Sequence, residues 1–480
     1  MARSIAAIRL CLEAYGDQTA LTINKMRNLR EMSQQKTRRD FLKTSAAIGA
    51  AVWVGNSAAA QDSNSPMEKV AYASIGVGGK GSSDSADAAA HGQMVAICDI
   101  DKRTLEKTGS RPGFEKATQF EDFRQMLEDM GDKIDAVTVS TPDHMHAPAA
   151  AMAMKMGKHC FAQKPMTHTV WEARRLQDIA KEKGVKTMMG NQGTAHDGLR
   201  RAAALLKGGH IGTIKEAHIF TNRPIWPQGG PRPEPAEVPN YMDWNLWLGP
   251  APERPYTADY HPFKWRGWWD FGTGALGDMA CHTFNMPFMG LNLRDPLSIQ
   301  AWCSGHNQDS YPQSSKIAFI FKHPAGQGTM PVTWYDGGNT PDSALLNGAE
   351  IRNKSGSIIV GSDLTLYSFG DYGENWVLLD KQGKEVPAPE VEFEKSPGHF
   401  TEWHEAIIGK REQATSNFPN YAGPLTETIL LGNLAVYAAA SGEGKKIEWD
   451  ASKLEATNAP EVMKIVKKDY RGNYGSFLDA

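Results

Sequence analysis

The residues of this chain best spaced for chemistry are Gly76-Val77-Gly78-Gly79-Lys80-Gly81, which follow directly on the apolar run Val70 to Ile75. A strand that stops in Gly-x-Gly-x-x-Gly and restarts as a helix is built to take a pyrophosphate. Gly76 makes the tight turn, Gly78 lets the backbone approach the phosphates, and Gly81 lets helix and strand pack closely. The helix beyond offers free N–H groups and the positive end of its dipole. Gly76, Val77, Gly78, Gly79 and Gly81 are therefore candidate cofactor-binding residues. Asp99 lies 18 residues past Gly81, near the spacing at which an acidic residue bonds the adenosine ribose. A carboxylate there repels a 2′-phosphate and favours NAD, while Lys102 and Arg103 beside it leave NADP as the second choice. A solvated acidic strand end is the competing reading. Much later, Asp278 and His282 stand four apart, one turn of one helix face. An imidazole with an ordinary pKa of about 6.5 can take a hydroxyl proton at neutral pH, and Asp278 can orient it or bind a neighbouring hydroxyl. An ordinary surface pair is the alternative, which the apolar, glycine-rich surroundings disfavour.

These groups need a scaffold, and residues 66–192 supply one. Strands are expected at Val70–Ile75, Met94–Cys98, Ala117–Phe120, Ile134–Ser140, His159–Ala162 and Val185–Met189, with helices between them. Six strands alternating with helices predict a doubly wound α/β sheet. Ligands then gather at the carboxyl ends of the strands. Those ends carry Thr141-Pro142-Asp143-His144-Met145-His146, Gln163-Lys164-Pro165 and Gly190-Asn191-Gln192. His146 is expected to line the nicotinamide pocket. A metal on His144 and His146 is disfavoured, because no Cys or carboxylate pair stands at ligand spacing.

Taken together, the glycine loop 76–81, Asp99, Thr141-Pro142…His146, Lys164-Pro165 and Gly277-Asp278…His282 resemble the Gfo/Idh/MocA oxidoreductases in order and type. The resemblance spans residues 70 to about 285 and extends to the C-terminal arrangement. It implies cofactor contacts from Thr141, Pro142, His146, Gln163, Lys164 and Gln192. It also places Lys164 at the reacting carbon and the Asp278/His282 pair opposite the nicotinamide. One departure stands out: Gln163 occupies the place of the family's usual glutamate before Lys-Pro.

Beyond Ile214 the pattern changes to alternating strands separated by long loops, the sign of an antiparallel sheet with one buried face. By resemblance, residues 193–450 form an α+β domain with a large, mostly antiparallel open sheet whose outer face makes dimer or tetramer contacts. Residues 451–480 are read as a polar tail. Within this domain the stretch 222–271 holds six of the chain's 13 tryptophans. So long a loop with so many indoles is functional rather than disordered. Sugars stack C–H faces on indoles, which makes Arg223, Trp226, Tyr260, Trp265 and Arg266 candidate substrate contacts beside Asp278 and His282. A subunit interface is the equal alternative.

Composition excludes several classes. Residues 1–60 carry a net +5, which leaves −8 on the rest and no basic footprint for nucleic acid. No apolar run reaches the roughly 18 residues a membrane span needs. The five cysteines show no metal or disulfide spacing and read as buried thiols. Residues 1–60 form a leader: Thr37-Arg38-Arg39-Asp40-Phe41-Leu42-Lys43, an apolar segment from Ser45 to Gly55, then Ala58-Ala59-Ala60. They resemble a twin-arginine signal, with Met26 or Met32 as alternative starts, and imply periplasmic or other export by that translocase. The expected activity is hydride transfer between NAD and a secondary hydroxyl of a sugar, glycoside or cyclitol. The alternatives are glycoside cleavage through transient oxidation with retained cofactor, and a non-enzymatic carbohydrate-binding or regulatory protein.

Overall fold

The computed structural model describes residues 69–326 and 328–479, so the leader and its signal lie outside the described residues. The first sheet contains β1 (Ala71–Ile75), β2 (Gln93–Cys98), β3 (Thr118–Phe120), β4 (Ala136–Val139), β5 (His159–Ala162) and β6 (Thr187–Met189). All five pairings are parallel, in the order β3-β2-β1-β4-β5-β6. This is the doubly wound order whose ligand crevice opens where the chain reverses direction, between β1 and β4. The helices are α1 (Lys80–His91), α2 (Lys102–Gly109), α3 (Phe123–Met130), α4 (Asp143–Lys155), α5 (Val170–Lys183) and α6 (Asp197–Lys207). The Thr169–Glu172 capping box starts α5 as its sequence requires.

One helix begins earlier than its sequence signals. Pro148 reads as a helix start, yet α4 begins five residues before it, at Asp143. Pro142 is the residue that opens this helix, and Pro148 sits inside it, unable to donate to the His144 carbonyl. The Lys468 ammonium donates to that carbonyl instead, at 3.3 Å. His144 and His146 thus ride on the first turn of this helix.

The second sheet has ten strands: β7 (Ile214–Phe220), β8 (Ser298–Cys303), β9 (Ser315–Lys322), β10 (Thr329–Tyr335), β11 (Gly356–Gly361), β12 (Thr365–Phe369), β13 (Trp376–Leu379), β14 (Glu385–Val386), β15 (Ile447–Asp450) and β16 (Glu455–Ala456). Its order is β14-β13-β12-β11-β7-β10-β9-β8-β15-β16. Every pairing is antiparallel except β7 with β10. The crossing segments include α7 (Trp244–Leu248), α8 (Gly274–Thr283), α9 (Asn285–Leu291), α10 (His399–Ile407) and α11 (Gly423–Ala438).

Helix α11 is apolar on every side and buried along nearly its whole length. A helix of that kind belongs inside a core. It packs on α5 of the first domain and on β8, β9 and α8 of the second, so both domains share one apolar centre. Glu427 on this helix accepts from Nε and Nη2 of Arg174 from α5, each at 2.8 Å, a bidentate pair across the junction. The stretch read as a polar tail is also packed. Val462, Val466, Tyr474 and Leu478 are buried, and the Tyr474 and Phe477 rings lie against Phe123 of α3. Among the described residues no helix is long and apolar enough to cross a membrane.

Candidate active site

A cleft of about 800 Å³ runs along the carboxyl edge of the first sheet. That volume suits a small-molecule or cofactor site. Its geometry at the glycine loop fits a dinucleotide. Gly76 has φ 76°, and a Cβ added at Gly81 would sit 1.9 Å from the Gly76 carbonyl oxygen. Only glycine can occupy Gly81, because helix α1 and the turn touch there. At Gly79, by contrast, an added Cβ meets nothing within 4 Å, which leaves the rim open where phosphates would rest. Asp99 accepts from the Val77 and Gly78 N–H groups at 3.0 and 3.2 Å, and from Asp101 N–H at 3.0 Å. Burial pushes this carboxyl above its ordinary range, and those N–H donors hold it back.

At the opposite end stands Lys164, just past β5. Its ammonium donates to the Asp278 carboxylate at 2.9 Å and to the Asp278 carbonyl at 2.7 Å. Arg266 donates its Nε–H to the same carboxylate oxygen at 3.2 Å. Burial works against a charge at Asp278, but Lys164 and Arg266 outweigh it and hold the carboxyl down at about 2. Asp278 is therefore a fixed anion and not a proton acceptor. One turn along α8, His282 is only 4% exposed and lies edge-to-face with Tyr372, ring centres 4.8 Å apart. Burial and then the Lys164 charge drive its pKa well below the ordinary value, so it is a neutral imidazole at pH 7. Its Nδ1 is buried without a hydrogen-bond partner.

The structure also accounts for Gln163. Its side-chain N–H donates to Asp84 at 2.9 Å, and its oxygen accepts from the Lys164 backbone N–H at 3.2 Å. Asp84, buried on α1, also accepts from Ser140 Oγ at 2.7 Å and pairs with Lys80. A glutamate at position 163 would confront this carboxylate across one hydrogen-bond length. The amide instead joins the glycine-loop helix to the lysine turn.

Not every expected contact lies where sequence reading put it. Thr141, Pro142, Gln192, Arg223, Trp265 and Arg266 line the cleft. His146 reaches the cleft wall, but its ring nitrogens lie 2.8 Å from the Pro165 and Thr141 carbonyl oxygens. Burial lowers it to about 4, so the ring is neutral at pH 7, donates its single N–H to one of these carbonyls and keeps both nitrogens turned toward the two turns. Tyr260 is fully buried and Trp226 is 5% exposed, and neither lines the cleft. Tyr260 lies parallel to Trp244 and meets Trp268 and Phe271 edge-to-face in the core of the 222–271 excursion. Trp226 acts through Arg266, whose guanidinium lies 4.3 Å from the Trp265 ring centre and 5.9 Å from that of Trp226. Indole-rich sequence here is mostly packing, because an irregular segment needs a core of its own.

Three lining groups carried no sequence signal of that kind. Asp143 is 4% exposed and accepts from Thr273 Oγ at 2.6 Å, and burial raises it to about 7. It sits inside the very motif that supplies Thr141 and His146. Asp371 and Tyr372 reach the cleft from the β12–β13 turn, between Gly370 and Gly373. Among the described residues no group of three His, Cys, Asp or Glu side chains is arranged to hold a metal.

A doubly wound fold joined to a large mixed sheet, with a lysine-carboxylate-histidine cluster at the cleft, defines the class of two-domain dinucleotide-binding proteins. The family model described as "Oxidoreductase family, NAD-binding Rossmann fold" matches residues 70–191, and "Oxidoreductase family, C-terminal alpha/beta domain" matches residues 204–476. The chain therefore belongs to the Gfo/Idh/MocA oxidoreductase family. Its segment most similar to levoglucosan dehydrogenase of Pseudarthrobacter phenanthrenivorans is 27% identical over 192 residues, 40% of each protein. It is also 34% identical over 102 residues to a glycosyl hydrolase family 109 protein of Shewanella pealeana, covering 20% of this chain and 22% of that one. The chain thus spans at most 40% of the length of these curated relatives. In fold it is similar to an inositol dehydrogenase homologue of Azotobacter vinelandii solved with NADH and myo-inositol. The TM-score is 0.54 at 16% identity, covering 80% of this chain and 98% of the other.

Proposed function

We propose that this protein oxidises a secondary hydroxyl of a sugar, glycoside or cyclitol to the ketone, or reduces that ketone back to the hydroxyl, by hydride transfer. The observation that carries this reading is the Lys164–Asp278–His282 cluster at the end of the cleft remote from Asp99. NAD, when bound, supplies the hydride acceptor. The chain's own residues do the rest. The glycine loop and Asp99 fix the cofactor's orientation. His282, neutral at pH 7, accepts the hydroxyl proton. Lys164 lies beside the developing alkoxide and stabilises its charge, while Asp278 keeps the ammonium aimed by two hydrogen bonds. Arg266 lies within reach of a neighbouring substrate hydroxyl. The test is Lys164→Ala on a substrate found by screening sugars and glycosides. Turnover within a few-fold of wild type would refute the assignment.

A second reading is glycoside cleavage through transient oxidation with the cofactor regenerated in place, supported by the likeness to glycosyl hydrolase family 109 proteins. Release of an aglycone without NADH accumulation would favour it. The twin-arginine leader supports export to the periplasm after cofactor loading. Replacing Arg38 and Arg39 by lysine should hold the protein in the cytoplasm. A homodimer or homotetramer is proposed from the open second sheet, and light scattering on the purified protein tests it.

A further inference from the structure

The excursion between β7 and α8 does more than pack on itself. At one point it joins the end of β2. Asp101 and Met242 form an isolated antiparallel bridge, and Lys102 N–H donates to the Tyr241 carbonyl at 2.9 Å. A few residues on, it joins the start of α4, where a His144 ring nitrogen lies 2.9 Å from the Trp247 carbonyl oxygen. In the sheet order β2-β1-β4, strand β1 and its glycine loop lie between these two anchor points. Residues 241–247 therefore cross the dinucleotide crevice from bank to bank.

Other contacts hold the crossing segment down. Arg471 donates to Asn245 Oδ1 at 2.6 Å, to the Asn245 carbonyl at 2.8 Å and to the Gly249 carbonyl at 3.1 Å. Trp244 and Trp247 stack at 4.6 Å, buttressed by Tyr256 and Phe271. Tyr241, Leu246 and Trp247 line the same cleft as Asp99 and Ile100. The Arg103 guanidinium lies 3.2 Å from the Tyr241 ring centre and is held in two places by Asp101.

We propose that residues 241–247 are a strap that makes NAD a resident group, held through successive turnovers rather than exchanged as a co-substrate. The hydride taken from one hydroxyl-bearing carbon is then returned to a carbonyl carbon of the same or a second sugar, and the NADH is reoxidised in place. A dinucleotide reaching from Asp99 to Lys164 lies beneath the strap and leaves only when the β2, α4 and Arg471 attachments open together. This rests on the oxidoreductase reading for the identity of the ligand, but its test does not depend on turnover. The full mature chain, loaded with NADH, is mixed with excess NAD, and loss of bound-NADH fluorescence gives the dissociation rate without any sugar present. Dissociation should take many minutes in the wild type and speed up by at least about tenfold in Tyr241→Ala and in Arg471→Ala. Circular dichroism identifies a variant that has merely unfolded, and the wild-type rate stands as a measurement alone. Wild-type exchange within seconds would overturn the proposal, as would folded variants that both release NADH at the wild-type rate. Either result would leave the Lys164 assignment intact, and an active Lys164→Ala would leave the strap intact.

Discussion

Asp143 offers the sharpest test of the electrostatics of this cleft. Its carboxyl is buried, with a single hydroxyl donor at 2.6 Å from Thr273. Burial lifts it from an ordinary 3.8 to about 7, against the pull of Arg266 and Lys164. The folded chain thus keeps a proton that the unfolded chain has lost over that whole interval. Stability is fully present below pH 3.8 and falls as pH rises toward 7. At about 1.4 kcal/mol per pH unit the ceiling is roughly 4 kcal/mol. Asp143 also stands in the first turn of helix α4, where the dipole favours the charged form, so about 2–4 kcal/mol is expected above pH 8. Asp143→Asn keeps the shape and the acceptor for Thr273 but removes the titration. The variant should melt near the wild-type temperature at pH 4 and several degrees above it at pH 8.5, read by scanning calorimetry. Parallel Tm curves across that range would show that Asp143 ionises normally in the fold, and the burial argument would be refuted.

Four further outcomes follow from the same geometry. Gly81→Ala should abolish NADH binding in a fluorescence titration, because its Cβ would sit 1.9 Å from the Gly76 oxygen. Gln163→Glu would set a second carboxylate against Asp84 and should lower stability by about 2–3 kcal/mol at neutral pH, with recovery in acid, read by urea denaturation. Tyr260→Ala should cost about 3–5 kcal/mol of stability, because the ring is wholly buried. A Tyr260 variant that keeps its Tm but loses substrate affinity would reinstate the ring as a substrate contact. His282 is neutral in the fold, so kcat/KM should show no acid limb near pH 6.5. The decline should appear only at lower pH, since protonation of this base begins well below its ordinary value.

The glycine spacing, the six-strand alternation and the Asp278/His282 register were legible because each depends on residues close in sequence. Turns constrain glycine and helices set a period, whatever the rest of the chain does. Tyr260 and Trp226 were misassigned because an indole-rich segment reads alike whether its rings face a sugar or one another. Only the tertiary partners Trp244, Trp268 and Phe271 separate the cases. The start of α4 was hidden because Lys468, more than 300 residues away, serves the carbonyl that Pro148 leaves unpaired. Gln163 looked like a lost carboxylate until Asp84 appeared 2.9 Å from it. That pairing joins α1 to the end of β5 and has no local signature.

The packing of residues 400–474 bears on when the NAD-binding domain can be finished. Phe400 and Trp403 pack on Tyr72 of β1 and Phe161 of β5, and Tyr474 seals Phe123. A ribosome that has made the first six strands has therefore made a domain whose Tyr72, Phe161 and Phe123 rings still lack these partners. Domains ordinarily mature in the order of their synthesis. Here the domain made first waits for residues 400–474, so its apolar faces are closed only after most strands of the second sheet have been made.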